Sequence, residues 1–148
     1  MAKVILDTST YVDLQRAPRH RNAAWALNTM KNAAAHVAAY GKPGVSPLGI
    51  MGIEAGFERD LRARKRKEFV EGMLPMFELI SYGIEEACLG GEIYADLEGN
   101  RQRIGVVDTG IAATAVVRGL TLVTANLGHF QRIVDLGYPL TLEIWRAG

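Results

Sequence analysis

Apolar positions divide the chain into short β-branched runs and longer stretches at helical spacing, with the clearest change of period inside residues 106–130, VVDTGIAATAVVRGLTLVTANLGHF. Val107, Ile111, Ala112, Ala115 and Val116 recur at helical spacing, and Ala113 and Val117 make this helix apolar on most sides, so it is expected to be well buried. Gly119 is the expected stop, because a left-handed cap costs glycine nothing sterically. Residues 120–124 then form a short apolar run suited to an inner strand of a parallel sheet. Asp108 falls in the first turn of the helix, and Asn126 falls just past the strand's carboxyl end. That rim is where open α/β sheets bind ligands.

The same pattern extends in both directions. Residues 3–6 (KVIL) predict a buried strand that delivers Asp7 to its carboxyl end, where Thr8, Ser9 and Thr10 can cap a helix over 11–16 that Pro18 interrupts. A longer helix follows over 23–40, with Trp25, Leu27, Met30 and Val37 as its apolar positions and Gly41 and Pro43 as its end. An extended piece at Val45 and Ser46 leads into a helix carrying Ile50, Met51, Ile53, Glu54 and Phe57. The pattern leaves open whether Glu54 faces solvent or the sheet rim. Residues 59–73 are expected to continue as a basic helix on Leu61, Phe69, Val70 and Met73, and 77–80 (FELI) to form a strand. A helix over 85–97 places Ala87, Leu89, Ile93, Tyr94 and Leu97 inward, and 98–105 is a polar loop near Asp108. A turn at 135–139 and a last strand at 140–144 complete the alternation, which predicts a parallel sheet covered on both faces.

Size and composition narrow this further. A chain of 148 residues with 49% hydrophobic positions suits one domain with a proper core. No apolar run is long enough to span a bilayer and the start does not resemble a signal peptide, while the single Cys88 offers no internal disulfide. A cytoplasmic protein is the expectation. Net charge is +1, so overall charge does not announce a nucleic-acid binder, yet Arg59, Arg62, Arg64, Lys65, Arg66 and Lys67 crowd into one stretch.

Three acids far apart in sequence, Asp7, Glu54 and Asp108, are candidates for one cluster. Carboxylates gathered closely repel, and a hard cation such as Mg²⁺ or Mn²⁺ relieves that repulsion while keeping waters for a phosphate substrate. Hydrolysis of a nucleic acid by metal-activated water is the chemistry such a cluster suggests. Each acid also has a structural role open to it: Asp7 as a helix cap, Asp108 beside a helix dipole, Glu54 in solvent. Asn126 is a common turn residue, and His129 suits a metal ligand, a phosphate contact or an ordinary helix start.

The segments ILDTS, IMGIEAGFE and VVDTGIAATAVVRGLTLVTANLGHF stand in the order found in PIN-domain proteins, and the chain resembles a VapC-type toxin ribonuclease along essentially its whole length. The resemblance implies a three-layer α/β/α sandwich with a central, mainly parallel sheet. It also implies a Mg²⁺- or Mn²⁺-dependent endoribonuclease, a homodimer, and inhibition by a small cognate antitoxin docked against residues 11–40. By position, Asp7, Glu54 and Asp108 match the family's core acids, and Thr8, Ser9 and Thr124 its hydroxyl-bearing rim positions, expected to hold the carboxylates in place. The departure is at the fourth acid, since Asn126 and His129 occupy the two places where the family often puts one. A single cation is the expectation, with Asn126 orienting a water or ligand.

Under that scheme metal-activated water attacks phosphorus and leaves a 5′-phosphate, without a cyclic product. Arg101, Arg103, His129 or the basic residues near Arg62 would contact the RNA backbone. The alternative is a PIN-fold module that binds RNA or a protein without cutting. A haloacid-dehalogenase-like phosphatase is disfavoured, because Ser9 stands where that chemistry needs an acid and the chain lacks room for a cap domain.

Overall fold

The structure is a computed structural model that describes residues 2–59 and 63–148. Its centre is a five-stranded, all-parallel sheet in the order β3-β2-β1-β4-β5. The strands are β1 (Val4–Leu6), β2 (Gly44–Val45), β3 (Glu78–Leu79), β4 (Thr121–Val123) and β5 (Leu142–Glu143). The helices are α1 (Thr8–Arg16), α2 (Ala24–Tyr40), α3 (Pro47–Arg59), α4 (Ala63–Glu68), α5 (Ile84–Gly99), α6 (Val106–Arg118) and α7 (Leu127–Asp135).

Strand alternation explains the layering. Ile5 and Leu122 face one way, into a core with Ile93 and Leu97 of α5, Ile111 of α6 and Phe130 and Ile133 of α7. Val4, Leu6 and Val123 face the other way, against Trp145, Leu14 of α1 and Ala33 of α2. Successive side chains on a strand point to opposite faces, so three-residue strands suffice to serve two cores. The result is the expected α/β/α sandwich.

Helix α3 sits differently. Its Ile50 packs with the α1/α2 core, whereas Leu48 abuts Gly110 and Gly49 faces Ile111, both on α6. It therefore crosses the carboxyl rim of the sheet and touches both helical layers.

Several predicted boundaries move. The helix expected over 59–73 is α3 ending at Arg59 and a short α4, followed by a π-helical turn at Phe69–Met73 and a 3-10 turn at Leu74–Met76. Leu61 and Arg62 lie outside the described residues. In α2 the apolar Leu27 and Val37 face solvent, and Ala26, Thr29 and His36 are buried instead. The reason is local. The His36 ring bridges two backbone groups, accepting from the Val4 N–H at 3.2 Å through Nε2 and donating from Nδ1 to the Gly41 carbonyl at 3.0 Å. Ala87 is exposed and Gly90 takes its place on the inner side of α5. At the other end of the chain Arg146 donates to both carboxylate oxygens of buried Asp13 at 2.6 Å, and the Asn28 and Asn32 amides donate to the carbonyls of residues 145–147. No helix among the described residues is long and apolar enough to cross a membrane.

Candidate active site

The two central strands, β1 and β4, end side by side, and the site is built on their carboxyl ends. Asp7 follows β1 directly and caps α1: its Oδ1 accepts from the Thr10 N–H at 2.9 Å. It is only 3% exposed. A buried carboxylate needs donors to remain charged, and the D-T-S-T run with β4 supplies them. The Ser9 hydroxyl reaches both carboxylate oxygens, at 2.7 and 2.9 Å, and the Thr124 hydroxyl donates to Oδ2 at 2.5 Å. These hydroxyls are held in turn, because Ser9 Oγ accepts from the Ala125 N–H at 3.1 Å and Thr124 Oγ1 from the Asn126 N–H at 2.9 Å. Thr10 Oγ1 donates to the Val123 carbonyl at 3.1 Å and stitches α1 to β4. The expected bracing of Asp7 by Ser9 and Thr124 is what the geometry contains. Thr8 turns instead toward Gly49 of α3.

Asp108 enters from α6, in the first turn after Gly105. Desolvation raises its pKa above the ordinary aspartate value, the nearby negative charge of Asp7 raises it further, and His129 pulls the other way. The two acids therefore sense each other across the rim. His129 Nδ1 lies 3.5 Å from Asp108 Oδ2 and 3.1 Å from the Asn126 carboxamide nitrogen. Asn126 itself is exposed. Asp7, Asp108, Asn126 and His129 thus form one group at the rim.

Glu54 is not part of that group. Its carboxylate pairs with Arg66 of α4. Among the described residues no three His, Cys, Asp or Glu side chains converge on a point a metal ion could occupy. The donor chemistry fits a hard cation at Asp7 and Asp108, which are mutually repelling carboxylates, and does not extend it to Glu54. The physical reason is helical phase: Gly49, Ile50 and Ile53 of α3, with Ser46 just before it, line the cavity beside Asp7, and Glu54 falls outside that set.

The basic candidates are spread out. Arg101 has a left-handed backbone, φ 56°, in the turn after α5, and Arg103 pairs with Glu98 at 3.7 Å. Arg132 of α7 donates to the carbonyls of Gln102 and Arg103 at 3.3 and 3.2 Å and pins this loop. Arg64, Arg66 and Lys67 are exposed on α4, on the side where Glu54 points.

Tyr11 is a participant that sequence pattern passed over. It is 2% exposed beneath Asp7, its hydroxyl finds no hydrogen-bond partner among the described residues, and burial pushes the phenol pKa up. Phe69 and Phe77 hold its ring from two sides, at centroid distances of 5.2 and 5.3 Å. The D-x-x-x-Y spacing, one helical turn from the acid, was the available signal.

Comparison with known proteins agrees with this geometry. The PIN domain family matches residues 4–136. The tRNA(fMet)-specific endonuclease VapC of Salmonella typhimurium is 31% identical, over 90% of this chain and 93% of its own length. Ribonuclease VapC1 of Rickettsia felis is also 31% identical, over 90% and 92%. Among solved structures, DNA-bound VapBC from Salmonella typhimurium aligns with a TM-score of 0.69 at 27% identity, covering 98% of this chain and 99% of the other. VapBC2 from Rickettsia felis, bound to a DNA fragment from its promoter, shares the fold with a TM-score of 0.75 at 23% identity over 96% and 98%. Sequence, sheet order and the acids at the rim lead to one assignment: the chain belongs to the PIN-domain family, among the VapC ribonucleases.

Proposed function

We propose that this chain is a divalent-cation-dependent endoribonuclease, the toxin of a toxin–antitoxin pair, and that Asp7 and Asp108 are its catalytic acids. The observation that carries the proposal is their meeting at the rim, Asp7 at the end of β1 and Asp108 in the first turn of α6, with His129 Nδ1 3.5 Å from Asp108 Oδ2. Mg²⁺ or Mn²⁺ held by these two carboxylates would supply Lewis-acid charge at the scissile phosphate and acidify a bound water.

The chain's own groups have distinct tasks. Asp7 is fixed in direction by Ser9, Thr10 and Thr124. The exposed Asn126 carboxamide can orient a water or a phosphate oxygen at the mouth. His129 stands where a donor can meet a non-bridging oxygen. Water attack on phosphorus forms the new P–O bond, breaks the P–O3′ bond, leaves a 5′-phosphate and returns a proton to the departing 3′-oxygen. The 2′-hydroxyl takes no part, so no cyclic phosphate forms. Arg101, Arg103 and the basic face of α4 would hold the RNA backbone without reading bases.

The partner would be a small antitoxin encoded beside the toxin, docked over α1 and α2, and the working form a homodimer in the cytoplasm. Relatives solved as VapBC complexes support this pairing. A second reading, a PIN-fold module that cuts poorly or not at all, is favoured by one observation: Glu54 does not join the other acids.

The test is cleavage of total RNA by antitoxin-free protein with Mg²⁺ or Mn²⁺, beside Asp7→Ala, Asp108→Ala and an EDTA control. The expected result is 5′-phosphate ends from wild type only. Equal behaviour of all samples, with wild type folded, would overturn the nuclease and leave the binding module.

A further inference from the structure

Charge is unevenly placed along this chain. Residues 14–53 hold five Lys and Arg and no Asp or Glu, so a chain of net charge +1 carries +5 in that one span, histidines counted as neutral. Three of the five, Arg16, Arg19 and Arg21, stand close together between α1 and α2, and all three are exposed. The turn that carries them is firmly built. Arg16 ends α1, a 3-10 turn follows at Ala17–Arg19, and the His20 and Ala23 N–H groups donate to the carbonyls of Ala17 and His20, each at 2.9 Å.

Trp25, in the first turn of α2, gathers the side chains. The Arg16 guanidinium lies 5.7 Å from its ring centroid, that of Arg146 5.2 Å, and the His20 ring 5.6 Å. A guanidinium over an indole uses its flat face there and keeps its N–H donors free at the edge. The two arginines at this ring differ in one respect. Arg146 is matched by buried Asp13, which accepts two bonds from it at 2.6 Å, whereas Arg16, Arg19 and Arg21 pair with no carboxylate among the described residues. Like charges held together without a counter-charge repel, and an anion relieves that repulsion. The arginine fork meets two phosphate oxygens at once, and residues 16–22 expose no large apolar side chain that could anchor a protein interface. A phosphate chain therefore fits this turn better than an acidic protein does.

We propose that Arg16, Arg19 and Arg21, ordered by Trp25, form an anchoring surface for the phosphate backbone of RNA outside the cleavage cleft. Arg16 lies at the far end of α1 from the rim, about 12 Å of helix beyond Thr8, so only an RNA several nucleotides long can touch the turn and the acids together. Such contacts add salt-sensitive affinity for long RNA and read no bases. The inference rests on the proposed ribonuclease for its ligand class. The antitoxin proposed for α1 and α2 would mask the same cations, so the test uses antitoxin-free protein.

The experiment is binding of fluorescein-labelled poly-uridine RNA in EDTA, followed by anisotropy over a salt series, with cleavage in Mg²⁺ or Mn²⁺ run separately. Arg16→Ala/Arg19→Ala should bind at least tenfold more weakly at low salt, and its slope of log affinity against log salt should shrink by about 1.4, as the loss of two single-strand phosphate contacts requires. Lys31→Ala/Lys42→Ala removes the same charge from the same span but outside the turn, and should stay within twofold of wild type. Arg16→Lys keeps the charge without the fork and should fall between wild type and Arg16→Ala. Poly-glutamate should compete at least tenfold less well than unlabelled poly-uridine. Equal loss in the two double variants would overturn the inference, and equal competition by poly-glutamate would overturn it in favour of an acidic protein partner. Binding through the turn without cleavage by wild type would retire the nuclease and leave the anchor standing.

Discussion

The Thr124 hydroxyl donates to Asp7 Oδ2 at 2.5 Å, joining the ends of two neighbouring strands through one acid. Because Thr124 Oγ1 also accepts from the Asn126 N–H, the same contact fixes where the loop after β4 begins. Stability and site geometry meet in this pair.

Thr124→Val keeps the shape and removes the donor. Leaving a buried carboxylate short of a hydrogen bond costs about 1–3 kcal/mol, and urea denaturation of the variant should show a loss in that range. Thr124→Ser retains the hydroxyl and should recover most of it. An unchanged midpoint in the valine variant would mean that Ser9 and Thr10 satisfy Asp7 alone.

Asp108 is held against its own ionisation. Its folded pKa is raised, first by desolvation and then by Asp7, so the ionised form disfavours folding at pH values above its unfolded pKa. Asp108→Asn should therefore raise stability at pH 7, on the order of 1 kcal/mol, while abolishing RNA cleavage. The gain should fade as pH falls through the aspartate range, where the wild-type acid is itself neutral. Thermal melts from pH 7 down to 4 would show it, and a destabilised variant would contradict it.

Glu86 has the opposite sign. The hydrogen bond from its own backbone N–H lowers its pKa from 4.5, and the Arg118 guanidinium at 2.7 Å and the Gly83 N–H at 3.0 Å add to this against the desolvation penalty. A depressed folded pKa gives stability that is present above the unfolded value and lost as pH falls below it. Glu86→Gln should lower stability at pH 7 and flatten the acid limb below about pH 4.5. Parallel acid titrations followed by circular dichroism would reveal whether the two curves converge.

His36 is a buried connector between backbone groups. Substitution by alanine leaves the Val4 N–H and the Gly41 carbonyl without their partners and opens a cavity, so a loss of about 2–4 kcal/mol is expected. Hydrogen exchange at the Val4 amide should accelerate in the variant more than at Leu122. Uniform acceleration would show that the histidine acts only through global stability.

These residues also show which parts of the structure the sequence could display. The strand that ends in Asp7 and the Gly119 stop were legible because each follows from a local rule: a short apolar run before a cap, and a left-handed glycine, here with φ 65°. The bracing hydroxyls of Ser9 and Thr124 were expected, with Thr8, only from the family resemblance, because no local rule ties a residue of β4's end to Asp7. Glu54 could not be placed this way, because its direction depends on the phase at which α3 meets α6, a tertiary relationship that apolar spacing in α3 does not encode. His36 was hidden for a similar reason: its partners lie 32 residues back, at Val4, and in the turn after its own helix. The π-helical turn at Phe69–Met73 interrupts a run whose sparse apolar positions, Leu61, Phe69, Val70 and Met73, suggested an unbroken basic helix.

The central place of β1 in the sheet has a temporal consequence. Strand β1 and Asp7 are made first, but β4 and Thr124, the neighbours that complete them, lie about 117 residues later. Asp13 likewise waits for Arg146, 133 residues on. Until β4 has been made, Asp7 lacks both the strand beside β1 and the hydroxyl that braces it, so the floor of the rim is completed late in synthesis.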